Sequence, residues 1–426
     1  MTKFKDIIGY EKEKEELMYI CDMIKNSEKY KEKGVYIPRA LLLYGEPGTG
    51  KTTMSKALIN ESGRKCFYCK KNKSNGDFVD EIRNVFEEAK KNAPSIILLD
   101  DMDKFAEDNL EFNQNKEEFA AIQTCMEDLE DSDVFVLATA NFIKYLPDSL
   151  LRTGRFGRKI EIGKPNQETI KKIIEHHINT NNIKCCIDAE SLTNILNGNS
   201  CATIKEIINE AQIYSIYNNN DSISKEELTK AILKNLFNEI EKEQNDNDTL
   251  YRAIHEAGHA VVGLVCGRKV SIVTLATHGS DGGSTFLQEP KSNGNDLKIF
   301  NDEISIAMAG KAATELYNLG TVDFGAENDI EKAIKLISES MEYRLSHGFN
   351  YGYFVHKYDE RQSNFRLDMI VDKAYEVLEE SYNKAKMIIQ DNKQLVDEIS
   401  SELIKNGTLL YDDINDIYSK YQGIKA

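Results

Sequence analysis

The sequence has no apolar run of the ~18 residues that a membrane-spanning helix needs. The amino terminus also lacks an apolar segment after its first charges, so it does not resemble a secretory signal. The best local run, Ala260 to Cys266, is short. These absences predict a soluble, cytoplasmic chain without a transmembrane segment.

An excess of positive charge is also missing, because 71 acidic residues face 54 basic ones and the net charge is -17. Proteins that bind duplex nucleic acid usually carry the opposite sign, so no nucleic-acid partner is expected. Eight cysteines occur without an export signal, which predicts reduced thiols, largely buried. Cys66 and Cys69 have the spacing of a zinc or redox pair, but no second pair follows, so we expect neither function.

The 426 residues suffice for two or three domains. The short apolar runs Ala40–Tyr44, Ile96–Leu99 and Val134–Ala138 predict buried parallel strands, and helical patterns lie between them. The predicted organisation is an α/β domain over residues 1–164, a helical lid over 165–237, a linker over 238–248 and a mainly helical domain over 249–426. One β-like stretch, Val270 to Leu287, interrupts that last domain.

A P-loop follows the first predicted strand and leads into a helix, with the sequence Gly45-Glu46-Pro47-Gly48-Thr49-Gly50-Lys51-Thr52. Backbone amides of Gly48, Gly50 and Lys51 would point at nucleotide phosphates, and the helix amino terminus adds positive potential. Lys51 would supply a point charge and the Thr52 hydroxyl could ligate Mg²⁺. Glu46 has no use in phosphate binding, so we expect its side chain to point outward.

Acidic and polar residues end the next two strands. Asp100 would hold Mg²⁺, directly or through water, and Asp101 would polarise the attacking water, where related ATPases have a glutamate. Asn141 ends the third strand and could orient the same water. The basic residues that follow are Arg152, Arg155 and Arg158. Their spacing after Asn141 is compatible with an arginine supplied to a neighbouring subunit.

A second motif, His255-Glu256-Ala257-Gly258-His259, places two imidazoles at i and i+4 on one helix face. This pattern predicts a catalytic zinc, with Glu256 as general base for the attacking water. Such a zinc needs a third protein ligand. Spacing alone leaves open His278, His347, Glu315, Asp323, Glu327 and Asp329.

Together these motifs resemble the FtsH-type ATP-dependent zinc metalloproteases of the AAA+ superfamily. Further matching segments are Asp6-Ile7-Ile8-Gly9, Leu150 to Arg158, His255 to Leu264, and Gly325 to Ile330. The resemblance implies an AAA+ domain with a lid and a metalloprotease domain, with ATP, Mg²⁺ and Zn²⁺ as cofactors. It also implies protein or peptide substrates and a homohexamer.

Residue roles follow from the resemblance. It implies that Asp329 is the third zinc ligand and that Arg155 and Arg158 act on a neighbouring subunit. It implies that the stretch 282–288 is an edge strand that binds substrate backbone. The implied nucleotide-binding residues are Ile8, Gly9, Gly45, Pro47, Gly48, Thr49, Gly50, Lys51, Thr52, Thr53, Asp100 and Ala202.

Three features depart from the family. Its membrane helices are not recognisable in this sequence, Asp101 replaces the glutamate, and the segment Lys70 to Asp80 is basic and polar where the family has an aromatic pore loop. Phe78 is the only aromatic candidate there, so we expect that this segment does not grip substrate.

The sequence predicts an ATP-dependent zinc endopeptidase. The alternative is a nucleotide-regulated binding or remodelling protein with a slow ATPase and a weak or gated peptidase. A third possibility is a plain metallopeptidase with a degenerate ATPase, but the complete set of nucleotide-site residues opposes it.

Overall fold

The computed structural model describes residues 2–71, 75–105, 117–130, 132–181, 183–237, 249–276, 283–290, 297–319, 327–342 and 364–425. By its contacts the chain divides into two units. The first comprises Met1–Asn181 with Gly198–Glu206, and the second comprises Asn182–Asn197 with Ile207–Ala426. The predicted linker, 238–248, lies outside the described residues.

The first unit alternates strands and helices. Its strands are β1 Ala40–Tyr44, β2 Lys65–Cys69, β3 Ser95–Leu99, β4 Val134–Ala140 and β5 Lys159–Glu161. Its helices are α1 Glu11–Lys25, α2 Ser27–Glu32, α3 Lys51–Ser62, α4 Asn75–Lys91, α5 Glu117–Asp128 and α6 Gln167–Thr180. The strands form one parallel sheet in the order β2-β3-β4-β1-β5.

Both faces of this sheet are buried. Leu42, Ile97 and Val136 pack on the side of α4 and α5. Leu41, Ile96 and other intervening residues pack on the side of α1 and α3. Burial on both faces explains why the central strands are continuous apolar runs. The carboxyl ends of these strands carry the P-loop, Asp100 and Asn141 to one edge of the sheet.

The second unit is mainly helical. Its helices are α7 Ala189–Ile195, α8 Cys201–Tyr217 (from residue 207 onward), α9 Lys225–Phe237, α10 Thr249–Val265, α11 Leu297–Ala307, α12 Ala309–Leu316, α13 Glu327–Glu342, α14 Asn364–Asp391, α15 Lys393–Asn406 and α16 Tyr411–Lys425. Three short strands, β6 Val270–Thr274, β7 Ser284–Leu287 and β8 Thr408–Leu410, pair antiparallel in the order β7-β6-β8.

Helix α10 lies at the centre of the second unit. Its small residues Ala253, Ala257 and Ala260 are buried against residues of α12 and α15. At Gly258 a Cβ would come within 2.7 Å of the Ala309 carbonyl oxygen, so the α10 and α12 backbones approach closely. This packing buries the His-Glu motif of α10 on nearly all sides.

The predicted fold class, an α/β AAA+ domain followed by a mainly helical domain, is confirmed. The sequence did not predict β2, β5 and β8. All eight cysteines are free thiols, but the expectation that most are buried is wrong, because only Cys21 and Cys69 are fully buried and Cys186 is exposed.

Candidate nucleotide and metal sites

The P-loop connects the end of β1 at Tyr44 to the start of α3 at Lys51. Gly48 has a φ of +78°, which a glycine adopts readily. A Cβ at this position would lie 2.6 Å from the Ser200 Oγ, so the loop requires glycine for space as well. The Ala202 N–H donates to the Gly48 carbonyl at 3.1 Å. The first residues of α8 therefore hold the loop in place.

A pocket of about 550 Å³ opens beside this loop within the first unit. The predicted residues that line it are Ile8, Pro47, Gly48, Thr49, Gly50, Lys51, Thr52, Thr53, Asp101, Asn141 and Ala202. Three other predicted residues are not among the residues that line it. Gly9 packs on Thr169, Gly45 packs on the Ile162 backbone, and Asp100 directly follows β3. The structure thus brings most of the predicted nucleotide residues to one pocket.

Several lining residues were missed by sequence reasoning, among them Tyr10, Ile173, His177, Cys201 and Lys205. The Tyr10 hydroxyl donates to the Gly163 carbonyl at 2.9 Å and lies 3.3 Å from the Cys201 Sγ. Burial raises the pKa of Tyr10, so it remains a neutral donor. These residues belong to no local motif, and only the fold brings them together.

The Lys51 and Glu46 side chains make separate contacts. The Lys51 Nζ donates to the carbonyls of Gly45 at 2.7 Å and Glu46 at 2.8 Å. Burial lowers the pKa of Lys51, although nearby aspartates act to raise it. The Glu46 carboxylate faces outward and lies 3.1 Å from the Lys164 Nζ, as predicted.

The two aspartates after β3 share contacts with Thr139 and Lys70. The Thr139 hydroxyl donates to the Asp100 Oδ1 at 2.8 Å and accepts from the Asp101 N–H at 2.9 Å. The Lys70 Nζ lies 3.3 Å from the Asp100 Oδ2 and 3.5 Å from the Asp101 Oδ2, and the Lys104 Nζ lies 3.1 Å from the latter. Sequence reasoning missed both lysines at these carboxylates.

The predicted water-orienting residue, Asn141, follows β4 and lines the pocket. Its backbone N–H donates to the Asp103 Oδ1 at 3.1 Å, which fixes the strand end next to the aspartates.

The predicted arginines are not among the residues that line the described pocket of their own chain. Arg155 donates to the Ser149 carbonyl at 2.5 Å and the Glu127 carboxylate at 2.6 Å. The Arg158 Nη2 donates to Glu16 at 3.2 Å. Neither of them, nor the exposed Arg152, lines the described nucleotide pocket.

In the second unit, the side chains of His255, His259 and Asp329 converge. The Asp329 Oδ2 lies 2.9 Å from the His255 Nε2 and 3.1 Å from the His259 Nε2, and the two nitrogens are 3.2 Å apart. Helix α10 supplies both histidines, and the first turn of α13 supplies the aspartate. Both imidazoles are buried, and the Asp329 side chain is 21% exposed.

This donor set fits zinc. A tetrahedral ion about 2.0–2.1 Å from each ligand atom separates those atoms by about 3.3 Å, close to the observed spacing. The His259 Nδ1–H donates to the Ile306 carbonyl at 2.7 Å, which turns the Nε2 lone pair toward the cluster. Two imidazoles and one carboxylate leave a fourth position for substrate or water.

Glu315 and Glu327, the competing carboxylates that the structure describes, do not join this cluster. Glu315 instead accepts hydrogen bonds from Tyr382 and, at 2.8 Å, from Lys386. Glu327 is exposed. The candidates His278, His347 and Asp323 lie outside the described residues. Among the residues that the structure places, only Asp329 supplies a third ligand atom.

In the metal-free cluster, the imidazoles and the carboxylates shift one another's pKa values. Burial acts to lower the pKa of His259, but Asp329 and Glu256 outweigh it and raise that pKa to about 9. Burial likewise acts to raise the pKa of Asp329, but the two imidazoles hold it well below its usual range. These shifts favour a protonated His259 imidazole paired with the Asp329 carboxylate when no metal is bound.

Glu256 is buried beside the histidines, on the side of β7. The Thr285 hydroxyl donates to its Oε2 at 2.7 Å. Burial raises the pKa of the Glu256 carboxyl, although the imidazoles and the Thr285 hydroxyl act in the opposite direction. A raised pKa suits a general base that must later return the proton. Sequence reasoning missed Thr285 as a partner of Glu256.

Gly310, in α12, packs directly on His255. A Cβ at this position would lie 2.3 Å from the Nε2 that faces the cluster. Sequence reasoning missed this residue too, because the contact joins two separate helices.

The stretch predicted as an edge strand contains β7, which pairs only with β6 among the described strands and so forms an edge. The segment that is expected not to grip substrate contains one aromatic candidate, Phe78. Phe78 is fully buried in the core of the first unit and meets Phe105 edge-to-face, with ring centroids 4.9 Å apart. It is therefore a packing residue, while positions 72–74 lie outside the described residues.

Comparisons with known proteins match both units. Residues 41–164 match the model of the ATPase family associated with various cellular activities (AAA), and residues 242–417 match peptidase family M41. The chain is 31% identical to the ATP-dependent zinc metalloprotease FtsH of Mycoplasma genitalium, over 98% of this chain and 63% of that protein. It is 28% identical to the FtsH of Halothermothrix orenii, over 94% of this chain and 68% of that protein.

The fold and the two matched domains define an AAA ATPase joined to an M41-type peptidase. Over nearly its whole length the chain is similar to the FtsH proteases. It spans about half to two thirds of the length of the curated relatives that it matches. None of the helices in the described part of the chain combines the length and apolar character needed to cross a bilayer.

Proposed function

We propose that this protein is an ATP-dependent zinc endopeptidase that degrades proteins or peptides. The observation that carries the proposal is the buried convergence of His255, His259 and Asp329 beside Glu256, in a chain that also has an assembled P-loop pocket. The same convergence argues against the alternative of a remodelling protein with a weak peptidase.

In the proposed chemistry, zinc and Glu256 have different roles at the peptidase site. Zinc held by the two histidines and Asp329 supplies Lewis acidity to the water and to the scissile carbonyl. The Glu256 carboxylate takes one proton from the attacking water and passes it to the leaving amine. Burial around Glu256 limits access of bulk water, and β7, at the edge of the sheet among the described strands, would offer its backbone to an extended substrate.

At the nucleotide site, Lys51 and the P-loop amides would hold the phosphates, and Thr52 and Asp100 would hold Mg²⁺. Asp101 would polarise the water that Asn141 orients. Arg155 and Arg158 would serve the pocket of a neighbouring subunit, and their contacts away from the own pocket support that role. A homohexamer would supply such neighbours.

We also propose that the chain divides at residues 164, 237 and 248, that the protein is cytoplasmic, and that Ile8, Gly9 and Ala202 bind the nucleotide.

Glu256→Gln tests the peptidase assignment. The amide cannot accept the proton, so degradation of an unfolded casein should fall by at least about 100-fold. Zinc content by metal analysis should stay at that of the wild type, because Glu256 is not among the three converging ligands. Loss of zinc from the variant, or unchanged degradation, contradicts the assignment.

A further inference from the structure

We propose that Thr285 is a positioning residue that holds the Glu256 carboxylate in place for proton transfer. This inference rests on the proposed peptidase function. The geometry is direct, because the Thr285 Oγ1 lies 2.7 Å from the Glu256 Oε2 and 3.1 Å from the Glu256 carbonyl oxygen. The hydroxyl contacts both ends of one residue and so fixes its side chain relative to its backbone.

A glutamate has three rotatable side-chain bonds, and its terminal torsion is broad. A general base must meet its proton at hydrogen-bond distance and in the correct direction. The Thr285 hydroxyl occupies a lone pair of Oε2 and restricts rotation of the carboxylate. The hydroxyl keeps its own proton throughout, because the transferred proton moves only between water, Glu256 and the leaving amine.

Gly283, two residues earlier, leaves the space that this orientation needs. A Cβ there would lie 2.9 Å from the Glu256 Cγ and 3.0 Å from its Oε1. The Thr285 side chain and a Cβ built at Gly283 would lie on the same face of the extended segment, because residues two apart share a face. One short piece of chain therefore supplies both the hydrogen bond and the room for the carboxylate.

The strand itself does not depend on this hydroxyl. Backbone pairing aligns Thr285 with Val273 and Ser284 with Thr274 of β6. Removal of the hydroxyl should therefore leave β7 in place and act on Glu256. Among the described strands β7 is also an edge strand. The strand that would bind substrate therefore carries the Thr285 hydroxyl, which orients the Glu256 carboxylate.

The test compares Thr285→Val, Thr285→Ser and the matched control Thr229→Val. The Thr229 hydroxyl donates to a carbonyl within its own helix, α9. With zinc and ATP, Thr285→Val should lower kcat for unfolded casein by about 10-fold to 100-fold, with KM and zinc content unchanged, because a hydrogen bond to a charged group is lost. Thr285→Ser should recover most of kcat, and Thr229→Val should match the wild type.

Three results would overturn the proposal: an unchanged kcat in Thr285→Val, an equal loss in Thr285→Ser, or a rise in KM alone. If the wild type itself does not degrade casein, the proposed function is wrong. The positioning of Glu256 by Thr285 can still be tested in that case. Crystal structures of zinc-loaded wild type and Thr285→Val then decide. A Glu256 carboxylate that turns or splits between orientations in the variant supports the proposal, and an unmoved one refutes it.

Discussion

His259 shows how a single residue links the metal site to pH. In the metal-free chain its pKa is raised to about 9, because the charges of Asp329 and Glu256 outweigh the effect of burial. At about pH 7 the imidazole is therefore protonated, while a zinc ligand must be neutral. We predict that zinc binding at this pH releases about one proton, and that zinc affinity rises with pH up to about 9.

Calorimetry measures this release. The apparent enthalpy of zinc binding should differ between buffers of different ionisation enthalpy, and the difference should shrink above about pH 9. An enthalpy that is the same in all buffers at neutral pH would show that His259 is not protonated in the metal-free chain.

Phe78, the only aromatic candidate for a pore-loop residue, packs in the core of the first unit. It is fully buried against Phe105, so Phe78→Ala removes an aromatic pair and leaves a cavity. We predict a loss of about 3–5 kcal/mol in the free energy of unfolding of the first unit. The control Tyr68→Ala removes a side chain that is 59% exposed and should cost less than about 1 kcal/mol.

Denaturant unfolding of both variants gives the comparison. If Phe78→Ala is as stable as the wild type and only degradation of folded substrates is lost, Phe78 acts on substrate and the core assignment is wrong.

At the scale of elements, the approach of α12 to α10 shapes the metal site. Gly310→Ala would place a Cβ 2.3 Å from the His255 Nε2, so either the imidazole or the helix must shift. We predict that zinc affinity falls by about 10-fold to 100-fold, comparable to the loss of a partner that orients a ligand. Gly423→Ala, in α16 where a Cβ meets open space, is the matched control.

Competition with a chromogenic chelator measures both affinities. Equal zinc affinity in Gly310→Ala and the wild type would mean that this helix contact does not position His255.

The elements also show what sequence could and could not predict. β1, β3 and β4 were found because both their faces are buried and they read as apolar runs. β2 is an edge strand with mixed burial, and β5 and β8 have three residues each, so none of them has a clear pattern. The His-Glu motif and the P-loop were found because their contacts are local.

Partners brought together over long distances were harder to predict. Asp329 is 74 positions from His255, and spacing alone left it among six candidates, so resemblance was needed to select it. Thr285 is 29 positions from Glu256, and Lys70 is 30 positions from Asp100. No periodicity or motif links such pairs, because the packing of separate elements creates the contact.

For the whole molecule, the positions of two arginines indicate an assembly of several subunits. Arg155 and Arg158 contact other parts of their own unit and do not line the described pocket, so they would act on a neighbour. We predict that Arg155→Ala and Lys51→Ala subunits are each inactive as ATPases but recover activity when mixed. In mixed rings, a subunit with an intact Lys51 can receive an intact Arg155 from its neighbour.

The mixing ratio provides the control. ATPase activity should peak at intermediate ratios and vanish in either pure variant. If verified mixed assemblies show no recovery at any ratio, the arginines do not act between subunits.

The central claim is that ATP hydrolysis and zinc proteolysis are coupled in one molecule. The most direct measurement is the rate of casein degradation by the zinc-loaded protein with ATP, with a non-hydrolysable ATP analogue, and without nucleotide. We expect rapid degradation only when ATP is present, and little degradation with the analogue or without nucleotide. Equal rates under all three conditions would contradict coupling and leave a plain metallopeptidase, whereas ATP hydrolysis without any degradation would favour a remodelling protein.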